Sequence, residues 1–368
     1  MKNKSGTPDY RMIIAGGGTG GHLFPGIAIA EEFLKRDGRN AVLFIGTERG
    51  LEKKVLGELG YVLRILDVEG IKGRGRTEAV KAALKIPKSL LQSLKIIREF
   101  RPDIVMGVGG YASGPCVMMA WMQGIKTAVA EQNVVPGVTN QILGKFVDKI
   151  FVTFPDTKKW FSDKKVLVSG NPVRKAFLAG QEEKQKVTGR FNILIFGGSQ
   201  GAHAINTACV NALDDLENMK NQLYFVHQTG QEDWEMVSDA YHKRGFSADV
   251  RSFIMDMPAA YQAADLLICR AGATSIAEMT VCGKAAILIP FPFAIHNHQT
   301  KNAEVLVGAK AAEMISQDRL NGKALARMIE TFKNSPERIR EMEANSRAIG
   351  NRQAAADIVD ACLRLIKE

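Results

Sequence analysis

The stretch Met12-Ile13-Ile14-Ala15-Gly16-Gly17-Gly18-Thr19-Gly20-Gly21-His22 decides the fold of this chain. Its four apolar residues predict a buried strand, and the glycines predict a tight turn into a helix. Such a turn brings backbone N–H groups close to a phosphate at the helix N-terminus. This stretch therefore indicates an α/β domain of the nucleotide-binding type.

A second copy of this unit occurs later in the chain. The apolar run at residues 193–196 leads into Gly197-Gly198-Ser199-Gln200-Gly201-Ala202. Short apolar runs alternate with helical patterns around both copies, which is typical of parallel, doubly wound sheets. Since 368 residues suit two domains, we expect an α/β protein with two Rossmann-like domains that face a central cleft. The predicted strands lie at residues 12–15, 41–45, 104–108, 127–130, 149–152, 193–196, 223–227, 249–253, 266–269 and 286–289.

Composition limits the class of partner and the compartment. The net charge of +10 favours an anionic partner, such as a phosphate substrate or an anionic membrane surface. Nucleic acid is not expected, because only 7% of residues are aromatic and none interleave with a Lys/Arg run. The five cysteines form no C-x-x-C pair, and residues 1–11 do not resemble a signal peptide. These features predict a cytosolic protein.

A basic segment at residues 71–101 has two interpretations. It contains nine Lys/Arg and two Glu, and Leu90, Leu91, Leu94 and Ile97 form an apolar stripe. The stripe is typical of a domain helix that packs against a core. The excess of basic residues is also typical of a helix that binds a membrane surface. Both interpretations remain open on the sequence alone.

The first glycine loop matches G-x-G-x-x-G, which also occurs in NAD-binding proteins. That use requires an acidic residue about 20 positions further on, whereas Glu48 lies 32 residues after Gly16. An NAD-dependent oxidoreductase is therefore only an alternative. His22 directly follows the loop, at the edge of the sheet where ligands bind, and is a candidate for chemistry.

A second candidate site follows the strand at residues 266–269. Thr274 and Ser275 lie one helical turn before Glu278, so the three side chains share a face. A carboxylate there can accept hydrogen bonds from two ribose hydroxyls. The chain has no Asp-x-Asp pair to hold Mg²⁺ on a diphosphate, and the pair His296 and His298 has no carboxylate cluster beside it in sequence. We therefore expect no metal and no other cofactor.

Seven short motifs follow one another along nearly the whole chain, at residues 17–22, 109–115, 131–133, 170–174, 197–202, 270–278 and 298–299. In this order they resemble the undecaprenyl-diphospho-muramoylpentapeptide β-N-acetylglucosaminyltransferases, which convert lipid I to lipid II in bacterial cell-wall synthesis. One small-for-small difference is Ala112 in the second motif, where the family has valine.

The resemblance implies a GT-B fold, with UDP-N-acetylglucosamine as the donor and undecaprenyl-linked lipid I as the acceptor. Residues 1–172 would form the acceptor and membrane-facing domain, and residues 173–345 the donor domain. Residues 346–368, part of a helix predicted over 336–367, would cross back to the first domain. The enzyme would lie on the cytoplasmic face of the cell membrane, where other cell-wall synthesis proteins are further candidate partners. Another UDP-sugar enzyme on this fold, such as UDP-N-acetylglucosamine 2-epimerase, is a second alternative.

The resemblance also assigns roles to individual positions. The expected reaction is an inverting displacement, in which the acceptor 4-hydroxyl attacks the anomeric carbon. His22 is the candidate general base, and Glu131 is a second candidate or orients a neighbour. Acceptor contacts fall on Gly17, Gly18, His22, Tyr111 and Ser113. Donor contacts fall on Thr19, Gly20, Gly21, Asn133, Arg174, Ser199, Ile254, Ala273, Thr274, Ser275, Ile276, Ala277, Glu278 and Gln299.

Overall fold

The computed structural model describes residues 9–18, 20–48, 52–68, 76–179, 187 and 189–368. The chain divides into two compact units. Unit 1 comprises Met1–Lys175 and Asn351–Glu368, and unit 2 comprises Ala176–Gly350. The divisions lie close to the expected boundaries at residues 172 and 345.

Unit 1 is built on a parallel sheet. Its strands are β1 (Arg11–Ala15), β2 (Ala41–Gly46), β3 (Leu63–Ile65), β4 (Ile104–Gly107), β5 (Lys126–Glu131), β6 (Lys149–Val152) and β7 (Val166–Val168). Among the described residues the seven strands are ordered β3-β2-β1-β4-β5-β6-β7. The helices between them are α1 (Gly20–Arg36), α2 (Glu52–Glu58), α3 (Arg76–Phe100), α4 (Ser113–Met122) and α5 (Val138–Leu143).

Unit 2 repeats this architecture. Its strands are β8 (Phe191–Phe196), β9 (Leu223–Gln228), β10 (Ala248–Arg251), β11 (Leu266–Cys269), β12 (Ala285–Leu288) and β13 (Glu313–Met314). In the described part of unit 2 they form a six-stranded parallel sheet, ordered β10-β9-β8-β11-β12-β13. The helices are α6 (Lys175–Leu178), which begins at the boundary, α7 (His203–Ala212), α8 (Trp234–Lys243), α9 (Met257–Ala263), α10 (Ala273–Cys282), α11 (His298–Gly308), α12 (Gly322–Asn334) and α13 (Pro336–Ile349). The last helix of the chain is α14 (Ala354–Lys367).

The buried run that precedes the first glycine loop explains the layers of unit 1. Met12 and Ile14 pack on one face of the sheet with α1 and α14, whereas Ile13 and Ala15 pack on the other with α3 and α4. Because side chains alternate along a strand, a continuous apolar run buries both faces at once. This central position fixes where the loop after β1 emerges.

The predicted pair of doubly wound α/β domains is confirmed. Each of the ten predicted strands is present, with ends that shift by at most two residues. The short strands β3, β7 and β13 lie at or next to the sheet edges and were not predicted.

One prediction of secondary structure is wrong. Residues 336–367 form two helices, α13 and α14, instead of one. At Gly350 a Cβ atom would lie 2.6 Å from the carbonyl carbon of Thr280, so the chain passes too close to α10 for a side chain. Asn351 then donates a hydrogen bond from Nδ2 to the carbonyl of Ser169 at 2.8 Å, which ties the start of the next segment to unit 1.

Candidate active site

The first glycine loop rests on the loop that follows β4. The N–H of Gly17 donates to the carbonyl of Gly109 at 3.3 Å, and the N–H of Gly16 donates to the carbonyl of Ile45 at 2.9 Å. The two loops meet because β1 and β4 are neighbours in the sheet. The structure therefore brings together two motifs that are far apart in sequence. Thr19 lies outside the described residues.

His22 lies in the first turn of α1, against the same two loops. Its Nδ1 is 3.3 Å from the carbonyl oxygen of Gly17. A carbonyl only accepts, so this contact is a hydrogen bond when Nδ1 carries the proton and Nε2 carries the basic lone pair. At Gly109 (φ +97°) a Cβ atom would lie 2.7 Å from Cδ2 of His22, so the imidazole requires glycine there.

A buried carboxylate supports the first glycine loop from below. Glu52, in the first turn of α2, is 1% exposed, and its Oε1 accepts a hydrogen bond from the N–H of Gly18. Glu48 was the candidate acidic residue in the sequence, whereas Glu52 was not predicted. An acidic residue in the first turn of a short helix is common on protein surfaces, so nothing in the local sequence indicated that Glu52 is buried.

The two predicted acceptor contacts near α4 differ in exposure. Tyr111 is half-exposed at the loop after β4. Ser113, the first residue of α4, is fully buried, and Gly107 leaves the space that its hydroxyl occupies. Since the buried hydroxyl of Ser113 cannot contact the acceptor substrate in this conformation, the geometry favours a packing role for Ser113.

Glu131, at the end of β5, organises the loop that follows it. The carboxylate is 3% exposed and accepts four hydrogen bonds. Oε1 accepts from the backbone N–H and Nδ2 of Asn133, at 2.9 and 3.3 Å. Oε2 accepts from the N–H of Gly137 and from Nδ2 of Asn140, at 3.0 and 2.8 Å. The oxygens that a general base would use are therefore occupied by donors.

Arg174 packs against α1 within unit 1. The central carbon of its guanidinium lies 4.2 Å from the centre of the Phe24 ring, a distance typical of a cation–π contact. Phe24 follows His22 by two residues on α1. The contact thus links the segment at the end of unit 1 to the helix that begins at the glycine loop.

The second glycine loop joins β8 to α7. Ser199 is exposed, and the N–H of Gly201 donates to the carbonyl of Gly198 at 3.0 Å. Gly201 has a φ of +77° and packs so closely on the backbone of Thr229 that no side chain fits. The loop therefore presents Ser199 to solvent while its far side is fixed to the end of β9.

Polar side chains form a buried network beneath this loop, and no sequence motif predicted it. Asn206 donates from Nδ2 to the carbonyl of Thr229 and to Asp233, at 2.8 and 2.7 Å. Its Oδ1 lies 3.0 Å from Nε2 of His227, which completes the chain of bonds. Burial lowers the pKa of His227 to about 3, against a smaller opposing effect of Asp233. The imidazole is thus neutral at physiological pH and serves the structure of unit 2.

Helix α10 contains the predicted ribose-binding group. Glu278 is buried, with 6% of its surface exposed, whereas Thr274 and Ser275 are half-buried. Burial raises the pKa of the Cys269 thiol, and the charge of Glu278 raises it further. The Glu278 carboxylate therefore lies near the end of β11. Three further predicted contacts, Ala273, Ile276 and Ala277, have buried side chains.

Arg270 joins the loops at the end of β11 and β12. Its guanidinium donates to the carbonyls of Ile289 and Pro290, both at 3.2 Å, and to Oε1 of Gln317 at 2.7 Å. Burial lowers its pKa. The next backbone N–H, at Phe291, donates to Oε1 of Gln299 at 2.9 Å, so Gln299 is held by this same loop.

Comparison with known proteins identifies the family. Residues 12–152 match the N-terminal domain of glycosyltransferase family 28, and residues 192–361 match its C-terminal domain. The chain belongs to glycosyltransferase family 28. The resemblance inferred from the seven motifs is therefore confirmed at the level of the family.

Three known proteins show how similar this chain is to its relatives in sequence and in fold. A Syntrophus aciditrophicus protein, "UDP-N-acetylglucosamine--N-acetylmuramyl-(pentapeptide) pyrophosphoryl-undecaprenol N-acetylglucosamine transferase", is 61% identical over 97% of this chain and 99% of its own length. The crystal structure of Acinetobacter baumannii MurG has a TM-score of 0.78 at 30% identity and covers 96% of this chain and 99% of its own. Neisseria meningitidis UDP-GlcNAc 2-epimerase has a TM-score of 0.67 at 14% identity, covering 96% of this chain and 100% of its own. The last likeness shows the fold alone.

No group of three or more His, Cys, Asp or Glu side chains in the described residues is arranged to hold a metal ion. All five cysteines are free thiols. Across the described ranges, none of the helices has the length and hydropathy that a membrane-spanning helix needs.

Proposed function

We propose that this family 28 glycosyltransferase moves N-acetylglucosamine from UDP-N-acetylglucosamine to undecaprenyl-diphospho-N-acetylmuramoyl-pentapeptide, giving lipid II and UDP. The observation that carries this conclusion is the 61% identity over 97% of the chain to a transferase of that name. The 2-epimerase alternative is supported only by a shared fold, at 14% identity. The family 28 matches over residues 12–152 and 192–361 favour a glycosyltransferase over an NAD-dependent oxidoreductase.

Unit 2 is proposed to bind the donor. The exposed Ser199 loop precedes the ten-residue helix α7, whose N-terminus has a partial positive charge that favours a diphosphate. Glu278 lies one turn from Thr274 and Ser275 on α10, where its carboxylate would accept the ribose hydroxyls. Ile254 has a buried side chain, so its contact with the donor would involve the backbone.

Unit 1 is proposed to bind the acceptor and to remove the proton from its hydroxyl. With the proton of neutral His22 on Nδ1, directed at Gly17, Nε2 can accept the proton of the attacking hydroxyl. The acceptor oxygen then bonds to the anomeric carbon with inversion as the bond from that carbon to UDP breaks, and the N–H groups and basic side chains around the donor stabilise the leaving diphosphate.

Glu131 is proposed to act as a positioning residue. Its carboxylate already accepts four hydrogen bonds, of which two come from Asn133. Holding Asn133 in place agrees with the second of the two roles considered for Glu131. With Glu131 in this role, His22 is the proposed general base.

We also propose that unit 1 binds the cytoplasmic face of the membrane peripherally. Leu91 on α3 is 67% exposed and lies between the exposed Lys88 and Lys95, whereas Ile97 of the predicted stripe is buried in the core. Exposed basic residues near anionic headgroups contribute about 1 kcal/mol each. A Leu91→Glu variant should sediment less with anionic vesicles than the wild-type protein, and added salt should release the wild-type protein. Binding that is indifferent to both changes would contradict the proposal.

A coupled assay tests the transferase activity. Purified full-length protein is given UDP-N-acetylglucosamine and a short-chain lipid I analogue, and UDP release is measured. We expect release that depends on the acceptor. Donor consumption without acceptor would favour the epimerase, and no turnover across several detergents would contradict the proposal.

A further inference from the structure

The last residue of β9 lies between strands β8 and β10 in the sheet of unit 2. Gln228 pairs with Phe196 of β8 on one side and with Arg251 of β10 on the other. Its side chain is 3% exposed. The loop with Ser199 follows β8, and the segment with Ile254 follows β10. Gln228 therefore lies between two segments that both belong to the proposed donor site.

The side-chain amide of Gln228 bonds to both segments. Nε2 donates to the carbonyl of Gly198 at 2.8 Å, and Oε1 accepts from the N–H of Ile254 at 2.8 Å. The orientation of the amide follows from these partners, because a carbonyl only accepts and a backbone N–H only donates. Each bond has an ordinary length.

We infer that Gln228 is a positioning residue that sets the spacing between the Ser199 loop and Ile254 for the nucleotide. This inference rests on the proposed assignment of the donor to unit 2. Gly198 has a φ of +100°, and glycine residues lose the most conformational freedom when they are ordered. The bond from Gln228 to its carbonyl holds the loop before the donor arrives, which reduces the entropy lost on binding.

The position requires one donor and one acceptor, and this chemistry supplies a test. In a Gln228→Glu variant an ionised carboxylate can only accept, so it opposes the Gly198 carbonyl while it still accepts from Ile254. A protonated carboxyl group has one O–H donor and one acceptor, as the amide does. A Gln228→Met variant has a similar length but makes neither bond at any pH.

UDP binding by the full-length protein, measured by calorimetry at pH 6 and pH 9, separates these cases. At pH 9 we expect both variants to bind UDP about tenfold more weakly than the wild-type protein, because the Gly198 carbonyl keeps only the Gly201 N–H and loses the Gln228 donor that fixes the loop to β9. At pH 6 the Gln228→Glu variant should recover to within about threefold of wild type, since burial favours the protonated carboxyl group, whereas Gln228→Met should not recover. A Gln231→Glu variant, with the same change of charge at an exposed position three residues away, should follow wild type at both pH values.

The outcomes distinguish the inference from the proposed function. If the Gln228→Glu variant binds as wild type does at pH 9, or remains as weak as Gln228→Met at pH 6, the positioning role is wrong even though UDP binds. If the wild-type protein does not bind UDP, the donor assignment fails and the inference fails with it. Recovery at pH 6 also excludes an irreversible folding defect, because the same preparation is measured at both pH values, and circular dichroism at pH 9 checks that the variant is folded there.

Discussion

Replacing Glu131 by glutamine tests whether this residue positions a loop or acts as the base. The carboxylate accepts from Asn133 with one oxygen and from Gly137 and Asn140 with the other. A glutamine side chain has one acceptor oxygen and one NH₂ group, so two of the four donors would face another donor. The change removes hydrogen bonds but keeps the volume of the side chain.

The expected loss of stability can be worked out from the number of hydrogen bonds that the change removes. A hydrogen bond to a charged group contributes roughly 1.5–3 kcal/mol, so two lost bonds correspond to about 3–6 kcal/mol. Gly137 is exposed and Asn133 is half-buried, so water can replace part of what is lost. We therefore expect the Glu131→Gln change to lower the unfolding free energy of unit 1 by about 2–4 kcal/mol.

Tryptophan fluorescence during urea unfolding can measure this loss in unit 1 alone. The chain has three tryptophans, of which Trp121 and Trp160 lie in unit 1 and Trp234 lies in unit 2. In a Trp234→Phe background the remaining signal therefore reports unit 1. The matched control is Glu58→Gln, an exposed position on α2, which should change stability by less than about 0.5 kcal/mol.

The pH profile of kcat/KM supplies the second measurement. If His22 is the base, the Glu131→Gln variant keeps the fall in rate at low pH, although its overall rate is reduced. A variant that is as stable as its control and has lost this acidic limb would refute the reasoning. Glu131 would then be the base.

Three further predictions concern unit 2 and the thiols. Glu278→Ala should raise the KM for the donor by about tenfold or more through loss of the ribose contacts, with the exposed Glu304→Ala as control; an unchanged KM would exclude that role. Because burial lowers the pKa of His227 from 6.5 to about 3, the unfolded chain binds a proton that the native chain does not. Unit 2 should lose roughly 1.4 kcal/mol per pH unit as the pH falls from 6.5 toward 3, and His227→Gln should flatten this slope in acid unfolding experiments. Maleimide should label Cys282 first in the native protein, as mass spectrometry can show. The other four thiols are buried, and burial raises the pKa of Cys116 and Cys269 to about 12. Early labelling of Cys116 would contradict this prediction.

The central strands could be predicted because a few consecutive apolar residues are enough to indicate that they are buried. Residues 12–15 and 193–196 are continuous apolar runs, as strands covered on both faces require. Strands β3 and β13 each contain a charged residue, and β7 is an apolar run of only three residues. The side chains of all three strands are half-buried or exposed, so no long apolar run marks them in the sequence. The break between α13 and α14 depends on the close approach of Gly350 to Thr280, a contact that spacing along the helix cannot reveal.

In the candidate site, too, residues whose role depends on contacts with distant parts of the chain could not be predicted. Residues that follow strands, such as His22 and Ser199, could be selected because parallel strands place their following loops at one edge. Glu52 and Gln228 could not, because each acts on a glycine at least 30 residues away along the chain. Helix and strand periodicity marks both residues only as ordinary members of their elements.

The two glycine loops look alike in sequence, but the side chains beneath them give them different electrostatics. Beneath the first loop the Glu52 carboxylate accepts the N–H of Gly18, so one amide and one negative charge are committed there. Beneath the second loop the neutral Gln228 amide donates to the carbonyl of Gly198 and adds no charge. A buried carboxylate disfavours a nearby diphosphate, whereas a neutral amide does not. The second loop is thus the better diphosphate site, which supports its assignment to the donor. If the first loop holds the acceptor's diphosphate, as proposed, basic side chains or the N-terminus of α1 must offset the Glu52 carboxylate, and His22 beside the loop is the proposed base.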